Sequence, residues 1–116
     1  CSMVLFNTTE NIADWERVYK EGASKGTLYV KMPIKYVMDG VECLKNTSTG
    51  VDTNKKRLYD YIDAGFINIQ AITGYNGEVV YRKVEKTDNG RKILMDTNNS
   101  SNDFAVSDDI NIREYK

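Results

Sequence analysis

Histidine is absent from this chain of 116 residues. The chain therefore lacks the side chain that most often acts as a general acid or base at neutral pH and most often binds transition metals. The absence also excludes every Ser–His or Cys–His nucleophile pair. We therefore expect a protein that is not an enzyme and that has neither a cofactor nor a metal site.

Cysteine and proline are almost absent, with two and one residues. Two cysteines are too few for a disulfide scaffold. Long apolar runs are lacking as well, because no segment approaches the about 20 apolar residues of a transmembrane helix. We therefore expect no transmembrane segment.

A strong net charge is also lacking, since 16 basic and 17 acidic side chains leave the chain at −1. The net charge gives no general attraction to nucleic acid or acidic lipid. The charge is nevertheless uneven: residues 51–95 carry eight basic and six acidic side chains, whereas residues 96–116 carry two and five. This is either a mildly basic binding face followed by an acidic tail, or simply solvated surface.

The length and a composition of 41% hydrophobic and 28% charged residues fit a single domain over residues 1–116. Residues 97–116 are predicted to be an acidic, partly irregular tail. Residues 1–2 have two interpretations: a lipid-bearing Cys1 of an envelope lipoprotein, or a cloning remnant ahead of a native start at Met3. We adopt the remnant, and with it a cytoplasmic location, because a strand-like run follows at once.

Three dipeptides predict β-hairpins: Asp39-Gly40, Asn76-Gly77 and Asn89-Gly90. Type I′ turns need a positive φ at both central residues, which Asn or Asp tolerates and Gly adopts freely. Each pair lies between strand-like segments. The sequence therefore predicts an antiparallel sheet that is built from hairpins.

Two helices are predicted beside this sheet. Asn7 and Glu10 form a capping-box pattern ahead of a helix over residues 8–21, and a second helix is predicted over residues 53–64. Strands are predicted at residues 3–6, 28–34, 41–44, 66–73, 78–86 and 91–96, and residues 104–106 and 110–112 are candidates for an additional last strand. The expected fold class is therefore α+β, with five to six antiparallel strands and both helices packed on one face.

Lys55, Lys56 and Arg57 begin the second predicted helix. Cations at a helix N-terminus are unfavourable, because that end carries a partial positive charge. One explanation is an anion or an acidic partner bound to the free N–H groups and the basic side chains. The other is that the helix begins nearer Leu58 and the charges are solvated.

A second group of candidate binding residues mixes aromatic and basic side chains on neighbouring predicted strands. The group consists of Tyr75, Tyr81, Arg82, Lys83, Arg91 and Lys92. Single-stranded nucleic-acid binders use this combination, since rings stack on bases and cations follow phosphates. Side chains alternate along a strand, however, so Tyr81 and Lys83 share one face and Arg82 takes the other.

Residues 96–102 place oxygen-bearing side chains at alternate positions, as the beginning of a Ca²⁺-binding loop does. The sixth and twelfth positions are Ser101 and Ser107, where such a loop needs Gly and Glu. We expect a polar loop without a metal.

The sequence therefore favours a small non-enzymatic protein that acts through protein–protein contacts. A composition rich in Asn, Lys, Ile and Tyr suggests an accessory or inhibitor protein of a phage or mobile element, with a protein of the host as its partner. Tyrosine is common at such contact surfaces, and an edge strand could also pair two copies into a homodimer. The alternatives are a single-stranded nucleic-acid-binding protein and an envelope lipoprotein anchored through Cys1.

Overall fold

The computed structural model describes residues 1–70, 72–73 and 77–109. These residues are mostly β, with 42% in strands and 12% in helical turns. The chain divides into two compact units, one formed by Cys1–Met3 with the chain from Asp39 onward and the other by Val4–Met38. The expectation of a single domain stays a prediction.

The predicted α+β class is wrong. No helix of seven or more residues occurs in the described part of the chain, and the two packed helices are not present. Residues 8–21 contain a 3₁₀ turn at Ile12–Asp14, and residues 53–64 contain one at Thr53–Lys55. The α-helical content is the four-residue α1, Ser100–Asp103.

The first predicted helix fails because its capping residues bond elsewhere. Asn11, not Asn7, caps the short turn, since its Oδ1 accepts a hydrogen bond from the Ala13 N–H at 3.1 Å. The Glu10 carboxylate accepts one from the indole N–H of Trp15 at 2.9 Å. The chain then becomes extended, and Arg17–Tyr19 of the predicted helix forms a strand.

Within the unit Val4–Met38, β2 (Arg17–Tyr19) pairs with β3 (Leu28–Val30) as an antiparallel ribbon. A 3₁₀ turn follows at Ile34–Tyr36. Trp15 is the buried apolar residue of this unit, and its indole stacks on the Tyr36 ring with the centroids 5.6 Å apart.

The other unit is organised around the long strand β4, Val37–Thr47. The strand pairs with β1 (Ser2–Phe6) and β5 (Gly50–Val51), and in parallel with β6 (Ile67–Ile69). The buried apolar residues Leu44 and Ile67 lie in β4 and β6.

The predicted turn at Asp39-Gly40 is wrong, because both residues lie inside β4. Gly40 is buried, and a Cβ there would lie 2.5 Å from Ile62 Cγ2 and 3.1 Å from Leu58 Cδ1. The glycine therefore allows a close approach of other side chains and does not reverse the chain.

The predicted turn at Asn89-Gly90 is confirmed. It joins β8 (Val84–Asp88) to β9 (Arg91–Leu94), with φ of 48° at Asn89 and 78° at Gly90. At the third dipeptide, Asn76 lies outside the described residues and Gly77 has a φ of 84°.

In the described part of the chain, the strand predicted at residues 78–86 is divided between two sheets. Strand β7 (Val79–Arg82) pairs with β10 (Phe104–Ser107), and β8 pairs with β9 in a separate two-stranded sheet. The segment predicted at residues 110–112 lies outside the described residues.

Candidate functional site

Three carboxylates are almost completely buried in the unit that contains most of β4: Glu42, Asp63 and Asp103. A buried charge is costly unless hydrogen bonds replace its water. The donors to these three groups therefore show which parts of the chain are fixed in place.

Glu42 lies on the buried face of β4. Its two oxygens accept hydrogen bonds from the Ser2 hydroxyl at 2.8 and 2.9 Å. One oxygen also accepts from the backbone N–H groups of Arg57 at 2.8 Å and Leu58 at 3.0 Å. The second predicted helix fails here, because N–H groups at its start are bound to a carboxylate from a remote strand.

Asp63 uses both oxygens in the same way. Oδ1 accepts from the N–H groups of Gly65 at 3.0 Å and Ser100 at 2.8 Å. Oδ2 accepts from the N–H of Glu42 at 2.8 Å and from the Ser100 hydroxyl. Asp63 therefore joins β4 to the first residue of α1.

Asp103 fixes the loop that leads into α1. It accepts hydrogen bonds from the Thr97 N–H at 2.9 Å, the Thr97 hydroxyl at 2.7 Å and the Asn99 N–H at 3.4 Å. The segment predicted to be a polar loop is thus a hydrogen-bonded structure built around a buried carboxylate.

The segment that follows Asp63 and the segment that leads into α1 also contact each other directly. The Ala64 N–H donates to the Asn98 carbonyl at 3.0 Å. The Ser101 hydroxyl accepts from the Phe66 N–H at 3.0 Å and donates to the Phe66 carbonyl at 2.9 Å. A Cβ on Gly65 would lie 2.5 Å from the Ser101 Oγ, so the segments meet at a position where only glycine fits.

Burial and hydrogen bonding act in opposite directions on the ionisation of Glu42 and Asp63. Burial alone would raise both pKa values. Hydrogen bonds to the charged forms outweigh burial, chiefly from the Arg57 and Leu58 N–H groups to Glu42 and from Ser100 to Asp63. The pKa of each carboxyl is therefore lowered, and both groups are ionised at neutral pH.

The segment anchored at Leu58 and Asp63 presents two tyrosines to solvent. The rings of Tyr59 and Tyr61 stack with centroids 5.3 Å apart and planes 9° from parallel. Their exposed fractions are 67% and 65%. The Tyr61 carbonyl accepts from the Asn98 side chain at 3.3 Å, so the backbone beneath the pair is held as well.

The structure places the predicted basic residues 55–57 outside an α-helix. Lys55 ends the 3₁₀ turn, and its Nζ lies 3.8 Å from the Asp52 carboxylate. Lys56 pairs with Asp60 at 2.8 Å, and the Arg57 guanidinium donates to backbone carbonyls of its own segment. No α-helix begins at this point, so the predicted helix N-terminus is absent and the three residues flank the tyrosine pair.

The residues of the predicted aromatic and basic face are divided between two sheets. Tyr81 and Arg82 lie in β7, Lys83 follows that strand, and Arg91 and Lys92 begin β9. Tyr75 lies outside the described residues. Because β7 pairs with β10 and β9 with β8, the structure does not place these residues on neighbouring strands.

Arg82 is engaged within the chain. Its guanidinium lies 2.8 Å from the Asp39 carboxylate and 3.7 Å from that of Asp96. It also lies 4.8 Å from the centroid of the Phe104 ring. The charge is thus compensated by two carboxylates and an aromatic face.

A cavity of about 330 Å³ lies between β6 and the segment of the chain that forms α1 and β10. Its polar lining consists of Asn68, Gln70, Ser100 and Ser101, and the remaining lining side chains are apolar. No titratable side chain is among the residues that line it.

The chain belongs to the DUF4876 family, described as "Protein of unknown function", whose profile matches residues 2–109. No curated protein and no solved structure matches the chain. Within the described residues, no helix is long and apolar enough to span a membrane. The same residues contain no group of three or more His, Cys, Asp or Glu side chains that could hold a metal ion.

Sequence reasoning missed the buried carboxylates and the tyrosine pair. Glu42 lies between Val41 and Cys43 in a strand pattern that places those two side chains in the core. The dense run of cap-forming residues at 97–103 was a usable signal, since Asn, Ser, Thr and Asp bond to nearby backbone groups. Nothing local indicated that Asp63 would bond to that run.

Proposed function

We propose that this chain is a non-enzymatic protein-binding module whose contact surface is centred on Tyr59 and Tyr61. The observation that carries the proposal is the exposed, stacked tyrosine pair on a segment that buried carboxylates hold at both ends. Large exposed aromatic side chains on a fixed backbone are the usual centre of a protein contact surface.

Energetics favour such a pair as a binding centre. Tyrosine buries a large area on contact and loses the freedom of only two side-chain torsions. The backbone hydrogen bonds that Glu42 and Asp63 accept fix this segment before any partner arrives, so little further order must be imposed on binding. Arg57 and the Lys56–Asp60 ion pair add a polar rim.

We also propose that the chain is an accessory or inhibitor protein of a phage or mobile element. Its partner would be a protein of the host. A cytoplasmic location and the alternative lipid anchor at Cys1 are likewise proposals.

The test is affinity capture with three forms of the tagged chain: wild type, the double variant Y59A/Y61A and the control Y29A. Tyr29 is also exposed, at 55%, but lies in β3 of the other unit. Each form is incubated with lysate of the source organism, with and without nuclease treatment, and the captured proteins are identified by mass spectrometry. Circular dichroism first establishes that all three forms are folded.

We expect a protein that wild type and Y29A capture equally and that Y59A/Y61A loses by about tenfold or more, as for the loss of a contact hot spot. Equal capture by all three forms would refute the tyrosine surface. Capture that nuclease abolishes and that falls steeply with salt would instead favour the nucleic-acid alternative, with Tyr81, Lys83, Arg91 and Lys92 as the next residues to change.

A further inference from the structure

The two cysteines of the chain are direct neighbours on adjacent strands. The Cys43 N–H donates to the Cys1 carbonyl at 2.7 Å, and the Cys1 nitrogen donates to the Cys43 carbonyl at 2.6 Å. Two residues that exchange both backbone hydrogen bonds in this way form a hydrogen-bonded pair of an antiparallel ladder. The two cysteines of this sequence therefore face each other.

The spacing of such a pair suits a disulfide. Opposed residues of this kind have Cα atoms about 5.5 Å apart, within the about 4.4–6.8 Å that disulfides span. Their side chains project from the same face of the sheet. Bond formation needs the two Cβ atoms to approach by about 1 Å, which the exposed Cys1, just before β1, can provide.

We propose that Cys1 and Cys43 form a cross-strand disulfide when the chain meets a disulfide oxidant, and that both are free thiols under reducing conditions. The thiols lie on the face of β4 opposite the buried Glu42. The inference is independent of the proposed binding surface, and it takes Cys1 as a native residue with a free thiol, in place of a cloning remnant or a lipid anchor.

The reaction is two successive thiol–disulfide exchanges with an oxidant such as oxidised glutathione. The Cys1 thiolate attacks one sulfur of the oxidant, forms a mixed disulfide and releases one glutathione thiolate. The Cys43 thiolate then attacks the Cys1 sulfur and releases the second. Two protein thiols are oxidised, one glutathione disulfide is reduced to two thiols, and the two protons pass to the leaving thiolates.

Accessibility sets the order of the two steps. Cys1 is exposed, whereas Cys43 is partly buried. Burial raises the pKa of the Cys43 thiol, so fewer Cys43 thiolates are present at neutral pH. Cys1 therefore meets the oxidant, and Cys43 closes the bond from within the protein.

The bond would close a loop that contains all of Val4–Met38, the second compact unit. Cross-linking restricts the unfolded chain more strongly for longer loops. For a loop of this length we expect oxidation to raise Tm by about 10 °C.

The experiment incubates the chain at pH 8 in a series of oxidised-to-reduced glutathione ratios. Free thiols are then trapped with an alkylating reagent, and intact mass and linked peptides are measured. The matched control is C43S/K45C, in which the second cysteine lies on the same face of β4 but two residues away from the position opposite Cys1. Circular dichroism checks that the reduced forms have the same fold.

We expect wild type to lose both thiols and the mass of two hydrogens, with a peptide that links residues 1 and 43. The effective concentration of one protein thiol toward the other, obtained from the series of glutathione ratios, should be at least about tenfold higher in wild type than in C43S/K45C. Tm should rise on oxidation of wild type only. Retention of both thiols, arrest at the mixed disulfide, or bonds between chains would overturn the proposal.

Discussion

Replacing Asp63 by asparagine removes a buried negative charge and preserves the shape of the side chain. The asparagine oxygen can still accept from Gly65 and Ser100 at the position of Oδ1. The amide NH₂ then faces the Glu42 N–H, which donated to Oδ2 at 2.8 Å. Two donors face each other in a buried position, whereas the Ser100 hydroxyl can rotate to accept.

The expected loss of stability in D63N follows from the unpaired Glu42 N–H and from the lost negative charge. A hydrogen bond to a charged group contributes about 1.5–3 kcal/mol, and a buried donor left without a partner costs about 1–3 kcal/mol. Because the geometry of the other bonds is retained, we expect D63N to lower the free energy of unfolding by about 2–4 kcal/mol. Domains have a total of about 5–15 kcal/mol, so this is a large fraction.

The assay is urea unfolding of wild type, D63N and the control D60N at pH 7, followed by far-ultraviolet circular dichroism. Asp60 has a side chain that is 86% exposed and pairs with Lys56 on the surface. Such pairs contribute about 0–1 kcal/mol, so D60N should differ little from wild type. A D63N loss no larger than that of D60N would refute the anchoring role of Asp63.

The pH dependence gives a second check of the same reasoning. The folded-state pKa of Asp63 lies below its ordinary 3.8, so its contribution to stability is fully present above that value. It is lost as the pH falls through the folded-state pKa. The difference in stability between wild type and D63N should therefore narrow below pH 3.8, and a difference that widens there would contradict the assignment.

Three further predictions follow from other positions. In G65A the added Cβ would meet the Asn99 Oδ1 and the Ser101 Oγ, and we expect urea unfolding to show a loss of about 2–3 kcal/mol. In G90A there is open space but a φ of 78°, so the loss should be about 1 kcal/mol. The fluorescence of the single tryptophan should titrate with a pKa below 4.5 because the Tyr36 hydroxyl and the Trp15 indole stabilise the Glu10 carboxylate, and E10Q should abolish that titration.

Two outcomes would contradict these predictions. A loss in G65A no greater than in G90A would mean that the Ser101 segment moves away freely. A fluorescence titration that persists in E10Q would assign it to another carboxylate.

Local turn chemistry could be read from the sequence, and contacts between remote segments could not. Asn89-Gly90 forms its turn because both residues favour a positive φ without outside help. Asp39-Gly40 is also a favoured turn dipeptide, yet Gly40 lies inside a strand, and Leu58 and Ile62 pack where its side chain would be. The sequence shows that a glycine is present, but not whether it forms a turn or makes room for neighbouring side chains.

The predicted helices failed for the same reason. Leu58 and Ile62 lie within the second predicted helix, and both pack against β4, but the backbone between them is a turn. The Glu42 carboxylate, 15 residues before Arg57, binds N–H groups at the start of the expected helix. No local pattern reports a hydrogen bond of that kind.

The tyrosine pair lay inside the second predicted helix, next to the cations that were proposed as a site. The site predicted from the sequence and the proposed tyrosine surface therefore lie in the same stretch of chain. Spacing along a helix separates Tyr59 and Tyr61 by about 200° around the axis, whereas the observed turn stacks their rings.

The buried carboxylates have a consequence for how stability varies with temperature. Among the described residues, three apolar side chains are buried, Trp15, Leu44 and Ile67, while Glu42, Asp63, Ser100 and Asp103 are buried as well. Exposure of apolar surface raises the heat capacity on unfolding, and exposure of polar surface lowers it. The chain should therefore have a heat-capacity increment below the about 12–15 cal/mol/K per residue of ordinary domains, and a flat stability curve that changes little between cold and warm conditions.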